Sequence, residues 1–411
     1  MGKIKMIYID PPYNTGNDFV YHDDFAQSAD EYDENNRDEE GYRYRKNTDS
    51  NGRFHSDWCS MIYARLMVAR SLLTDDGIIF ISIDDNEVDN LRKICNEIFG
   101  NSNFISNIIW KKKYGIQNDA KYFSTNHDYV AVYSKCQSNY IQNLLPRTDE
   151  ANVRYKNVDN DPRGPWKAGD MSVGRITEKD IYEIVTPSGR KVYPPAGNSW
   201  RLSKETYQEY LKDNRIWFGK DGNNVPSIKR FLSEVKQGTT CSTIWDYSEV
   251  GHTDKAKKDL KALFNDKAYF EYPKSVELIK RMCVLGTNSS SLILDFFSGS
   301  ATTAHAIMQL NAEDGGNRKF VMVQLPEETA EDSEAYKAGY KNICEIGKER
   351  IRRAGKKIKN EHPEAKDLDT GFRVFKCESS NYKEMMKAPK DYDQSQLEMY
   401  IDNIKEDRTD L

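Results

Sequence analysis

Long apolar runs are missing from the 411 residues. None approaches the roughly 18 needed to cross a bilayer, and no charged-then-apolar signal pattern opens the chain, so a cytoplasmic protein is expected. Cysteine is sparse: seven residues (Cys59, Cys95, Cys136, Cys241, Cys283, Cys344, Cys377) stand far apart with no C-x-x-C pair. That spacing suits neither a disulfide framework nor a zinc knuckle and predicts free thiols, mostly buried. The six histidines form no H-x-x-x-H pair, so no metal site is expected. An excess of positive charge is absent too, with 60 Lys and Arg against 65 Asp and Glu. Any contact with a polyanion must therefore use local patches. Missing as well are the G-x-G-x-x-G fingerprint and the Gly-Lys-Thr/Ser of a P-loop, which argues against NAD and ATP as ligands.

What is present reads as an α/β chain. Hydrophobic residues make up 38%, enough for at least one sizeable core. A buried strand is predicted over Lys3 to Asp10, stopped by Pro11 and Pro12, and a polar loop from Asn14 to about Ser56. Trp58, Met61, Ile62, Met67, Val68 and Leu72 recur at helical spacing behind Asp57 as N-cap, and Gly77 then opens a strand, Ile78 to Ile83. A helix over Val88 to Phe99 and strands at Phe104 to Trp110 and Tyr129 to Tyr133 follow. From about 140 to 270 prolines and isolated aromatics replace periodicity, which marks an inserted domain. Regular order returns with a helix from Val276 to Leu285, a strand Leu292 to Phe297, a helix through Ala304 to Leu310 and a strand Phe320 to Leu325. The expected division is 1–139, 140–270, 271–360 and 361–411, the last with one strand-like run, Phe372 to Phe375.

Two motifs carry chemistry. Asp10-Pro11-Pro12-Tyr13 sits at the carboxyl end of the first strand, where ligands bind in open α/β sheets. An aromatic amine is a weak nucleophile, and a carboxylate and a prolyl carbonyl on a rigid turn can accept both of its hydrogens while a ring stacks on the base. The bland alternative is a diproline turn behind a capping Asp. The second motif, Asp295-Phe296-Phe297-Ser298-Gly299-Ser300-Ala301-Thr302-Thr303-Ala304-His305, is a strand, a small-residue turn and a helix start. Small residues admit close backbone approach, and helix-start amides suit a carboxylate. By itself such a turn is common.

Together the motifs resemble the permuted, beta-type amino-methyltransferases, and most closely the modification subunit of type III restriction-modification systems. The likeness extends to Tyr13 through Tyr21, Ile81 through Glu87, Thr243-Ile244-Trp245 with Glu249 through His252, and Asn311 through Gly316. It implies a Rossmann-like S-adenosylmethionine-dependent methyltransferase fold, α/β, with permuted motif order and an inserted target-recognition domain. It further implies S-adenosyl-L-methionine as cofactor, Asp10, Pro11, Pro12 and Tyr13 as the catalytic turn, and Asp295, Phe297, Gly299 and Ser300 as the cofactor loop. Lys274 matches a cofactor-carboxylate contact whose usual Lys-Pro is here Lys274-Ser275, and Gln324 and Glu327 are candidates for cofactor hydroxyls. The family's second loop glycine is Ala301, whose methyl is acceptable only at negative φ and clear of the ligand. Asp rather than Ser at position 10 points to adenine.

Three basic clusters are available for double-stranded DNA: Lys111-Lys112-Lys113, Lys255 to Lys261, and Arg350 to Lys359. The first leads from the catalytic half into the insert and is favoured for phosphate contact; base readout falls to the insert. The resemblance also implies a homodimer and an ATP-dependent restriction partner. Two alternatives stay open, a recognition subunit without catalysis and an amine methyltransferase acting on cytosine, RNA or protein glutamine. The chain itself reads as a fragment. Its first strand starts almost at Met1 and its last residues, Asp407 to Leu411, read as mid-helix, so an unpaired edge at Lys3 to Asp10, weak cofactor binding and poor solubility or domain exchange are expected.

Overall fold

The computed structural model describes residues 1–15 and 53–377; the polar loop and the chain end therefore lie outside the described residues. Residues 1–369 form one compact unit. Its centre is a seven-stranded sheet made of β1 (Ile4–Ile9), β2 (Leu73–Ile83), β3 (Phe104–Lys111), β4 (His127–Ser134), a short strand Ile244–Trp245, and the pair Leu292–Asp295 and Lys319–Met322. β1 lies inside the sheet, parallel to β2 on one side (Ile7 opposite Ile79) and to Leu292–Asp295 on the other (Ile7 opposite Leu294). The expected unpaired edge at Lys3 to Asp10 is thus not there. An almost wholly apolar strand belongs where both faces are covered, and the sheet edges fall at Ile244–Trp245 and Lys319–Met322.

Alternation along the strands sorts the core into two layers. Ile7, Ile9, Ile79 and Ile81 pack with Trp58, Met61, Ile62 and Leu66 of α1 (Arg53–Leu72) and with Leu91, Cys95 and Phe99 of α2 (Val88–Phe99). Met6, Tyr8, Ile78 and Phe80 point the other way, onto helices from the second half of the chain. α1 begins at Arg53 rather than at Asp57, one turn earlier than the N-cap expected from the sequence. β2 likewise starts early: Ile4 faces Leu73 and Met6 faces Ile78, so residues 74–77 bulge out.

Within the insert, β5 (Trp166–Asp170), β6 (Ile216–Trp217) and β7 (Ser227–Phe231) make a small antiparallel sheet. Met171, Ile184, Trp200, Tyr207 from α3 (Lys204–Lys212) and Ile228 form a separate core there. Lys229 is buried beneath it, bonded to Asp159 and Asp161. The chain rejoins the main sheet at β8 (Ile244–Trp245), parallel to β3, and passes into α4 (Thr253–Leu263).

The rest is α5 (Val276–Gly286), β9 (Leu292–Asp295), α6 (Thr302–Asp314), β10 (Lys319–Met322) and, after a turn at Gly339, α7 (Ile343–Glu361). A one-turn helix, Glu334–Lys337, precedes that turn. Phe372 to Phe375 is not a strand. All seven cysteines are free, but only Cys95 and Cys283 are buried; Cys59 lies within α1, half-buried, and the others stand at an element end or on loops. No described helix is long and apolar enough to cross a membrane.

Candidate active site

β1 and β9 run side by side and end together, so the turn after Ile9 and the loop after Asp295 meet at one end of the sheet although far apart in sequence. The first turn is held from several directions. The Trp58 indole donates to the Pro12 carbonyl at 2.7 Å. Glu87, fully buried, accepts from Asn14 Nδ2 at 2.5 Å and Asn90 Nδ2 at 2.9 Å, and lies 2.5 Å from His55 Nδ1. Asn14 has φ 53, a conformation Asn tolerates better than most side chains. Among the described residues nothing donates to the Pro11 carbonyl, which leaves it available as an acceptor.

Asp10 is engaged. The Lys274 ammonium donates to both of its oxygens at 2.6 Å and stands 4.8 Å from the centre of the Tyr13 ring. Lys274 is thus brought to the carboxylate of the first turn. Each oxygen keeps a second lone pair with which it can accept from an approaching amine. Burial, with Asp10 second, pushes the Tyr13 phenol well above its ordinary value, so it stays neutral. Asp128, buried on β4 near this cluster, is raised by desolvation against the opposing pull of Lys112.

The second loop is built on Asp295, which is 2% exposed. Its oxygens accept from the Phe297 amide at 3.1 Å and the Thr303 hydroxyl at 2.5 Å, and burial pushes its carboxyl up to about 7. Gln324, just past β10, accepts from the Gly299 amide at 2.7 Å, while Glu327 is tied through its carbonyl to the Ile343 amide at the start of α7. Gly299 has φ 48 and faces the Phe270 ring, 3.4 Å from where a Cβ would sit. Ala301 overturns the expected negative φ: it is left-handed, at φ 60 and ψ 41, and buried. Room for its methyl comes from Gly347, where an added Cβ would lie 3.5 Å from it.

The favoured basic cluster is divided in use. Lys112 turns inward to Asp128 at 2.5 Å, Lys111 lies 3.4 Å from Asp246, and Lys113 bonds to Gln117 at 3.2 Å. Three contributors escaped the sequence reading. Trp58 looked like ordinary core, and Glu87 was quoted only for resemblance. Arg350 stood in the third basic cluster available for DNA, yet it is 2% exposed and donates to the Ser300 and Thr302 hydroxyls at 2.8 and 2.7 Å. Its spacing of four from Ile346 and Ala354 on the apolar face of α7 was the available signal.

The StyLTI Mod subunit, a type III restriction-modification enzyme of Salmonella typhimurium, is 37% identical over 378 residues, covering 91% of this chain and 56% of its own. The type II methyltransferase M.KpnI of Klebsiella pneumoniae is 32% identical over 365 residues, covering 84% of this chain and 80% of its own. The chain spans about three-fifths of the length of the type III relatives it matches. Residues 4–356, from the first strand through most of α7, match the DNA methylase model, and the chain belongs to that family.

Proposed function

We propose that the chain transfers a methyl group from S-adenosyl-L-methionine to the exocyclic amine of adenine in duplex DNA, as the modification component of a type III restriction-modification system. The observation that carries this is the meeting of Asp10 and the Pro11 carbonyl with the Phe297–Ala301 loop at the ends of paired strands. The loop suits the cofactor: a glycine at positive φ, an open helix start and a buried cation behind it favour a ligand with a compact, carboxylate-bearing end. When bound, the cofactor supplies an electrophilic methyl on a sulfonium.

The chain's own residues prepare the amine. Asp10 and the Pro11 carbonyl accept its two N–H groups, drawing its lone pair out of conjugation and toward the methyl. Tyr13 stacks on the base, and Trp58 and Glu87 fix the turn so that little reorganisation is needed during transfer. Lys274 holds the Asp10 carboxylate in place before the amine arrives and would bind the cofactor's carboxylate. Asp295, Phe297, Gly299, Ser300, Gln324 and Glu327 serve the cofactor. Lys111 and Lys113 meet phosphates, the insert reads bases, and a homodimer works with an ATP-dependent restriction subunit in the cytoplasm.

The test is transfer of labelled methyl to duplex oligonucleotides, followed by nucleoside analysis. Label in N6-methyladenine is expected. Label in cytosine, or transfer only to RNA or peptide, would reject this reading.

A further inference from the structure

Behind the Phe297–Ala301 loop lies a cation with no counterion. Arg350 is 98% buried, and its Nε has no hydrogen-bond partner. Among the described residues no carboxylate pairs with it; the acid that acts on it, Asp259 of α4, is bonded to Lys255 at 2.7 Å. Asp295 is committed to Phe297 and Thr303. His305, buried nearby, adds no charge, because burial and then Arg350 disfavour its protonation. Gly347 allows α7 to come this close, since a Cβ there would lie 3.3 Å from the Gly299 carbonyl.

The guanidinium therefore sits at the start of α6, where the helix dipole already contributes partial positive charge. Two positive sources without an acid are costly in a buried place and favour an anion. The contacts give that field a direction. Because the Ser300 and Thr302 oxygens accept from Arg350 Nη1, each hydroxyl hydrogen is turned away from the guanidinium, ready for a further acceptor.

We propose that Arg350 is a positioning residue that makes the loop selective for a carboxylate, acting through the Ser300 and Thr302 hydroxyls and the first amides of α6. This rests on the cofactor reading above, in which the carboxylate is that of the methionine end.

The experiment is calorimetry on the full chain with S-adenosylmethionine and with decarboxylated S-adenosylmethionine, which keeps the sulfonium and ammonium. The unaltered chain is expected to prefer the carboxylate-bearing ligand by about tenfold or more. Arg350→Gln, which can still donate to the hydroxyls without the charge, should lose about tenfold for S-adenosylmethionine and less than about twofold for the decarboxylated form. Arg350→Lys should keep most of the preference. Equal losses for both ligands would mean a merely structural residue and overturn the proposal. If Arg350→Gln does not fold, the unaltered chain decides, since no preference between the ligands overturns it equally. Failure of both ligands to bind the unaltered chain would reject the cofactor reading itself, and is visible before any variant is made.

Discussion

Asp295 offers the sharpest test of the loop's construction, because its burial has a consequence for stability that depends on pH. Its folded-state value of about 7 lies above the ordinary 3.8, with desolvation the main cause. The folded chain thus binds this proton more tightly than the unfolded chain. The stability so gained is complete below about pH 4 and is lost as the pH rises toward 7. The span is 7 − 3.8, and at about 1.4 kcal/mol per pH unit it sets an upper figure of about 4 kcal/mol. Asp295→Asn removes the ionisation but keeps an acceptor for the Phe297 amide, and its amide group can donate to the Thr303 oxygen. Below about pH 4, where Asp295 is protonated in the folded and the unfolded chain alike, the two proteins should unfold at similar denaturant concentrations. Near pH 8 the Asn variant should be the more stable, by up to about 4 kcal/mol. His305 titrates with the opposite sign, its depressed folded value giving stability that is lost as the pH falls, but it is common to both proteins and cancels in the comparison. Urea unfolding of both at a series of pH values reads the difference directly. A gap between them that does not change with pH would refute the reasoning.

Asp10→Ala should abolish methyl transfer, by on the order of 100-fold or more, while leaving S-adenosylmethionine affinity nearly intact; calorimetry showing lost cofactor binding in a folded variant would move Asp10 out of its role. Gly299→Val places a branched side chain at φ 48 against Phe270, so cofactor affinity should fall before DNA affinity does. Titrating the variant with each ligand separately checks the order, and unchanged cofactor binding would relocate the site. In the insert, Lys229→Ala leaves Asp159 and Asp161 without their buried cation and should destabilise by about 3–5 kcal/mol. A variant that melts with the parent would show that Arg163, bonded to Asp161 at 2.9 Å, suffices.

Much of the site was legible because its parts are local. A strand ending in Asp10-Pro11-Pro12-Tyr13 and a strand ending at Asp295 before small residues each announce themselves by pattern. What was hidden depended on partners from elsewhere. Lys3 to Asp10 read by its own pattern as a buried strand, and the expected edge rested on its start almost at Met1; the pairing that covers both sides of β1 comes from β2 and β9. Ala301 is left-handed despite the local cost of its Cβ, and the space around its methyl is left by a glycine on another helix. Lys112 sits in a run of three lysines, and only the fold reveals Asp128 beneath it.

The order of motifs along the chain matters little to the chemistry, and the sheet explains why. Strands β1 and β9 are parallel neighbours, so their carboxyl ends coincide whichever comes first in sequence. Parallel neighbours need a crossover in any case, and here the crossover carries β2 through β4, the insert and α5. The insert can therefore vary in length or sequence without moving Asp10 relative to Gly299, because their spacing is set by β1–β9 hydrogen bonds and by Lys274, which reaches from just before α5 to Asp10. In the function proposed above, recognition can change while the transfer geometry is kept, since the insert's own core and sheet are closed within residues 166–231 and share no strand with the seven-stranded sheet.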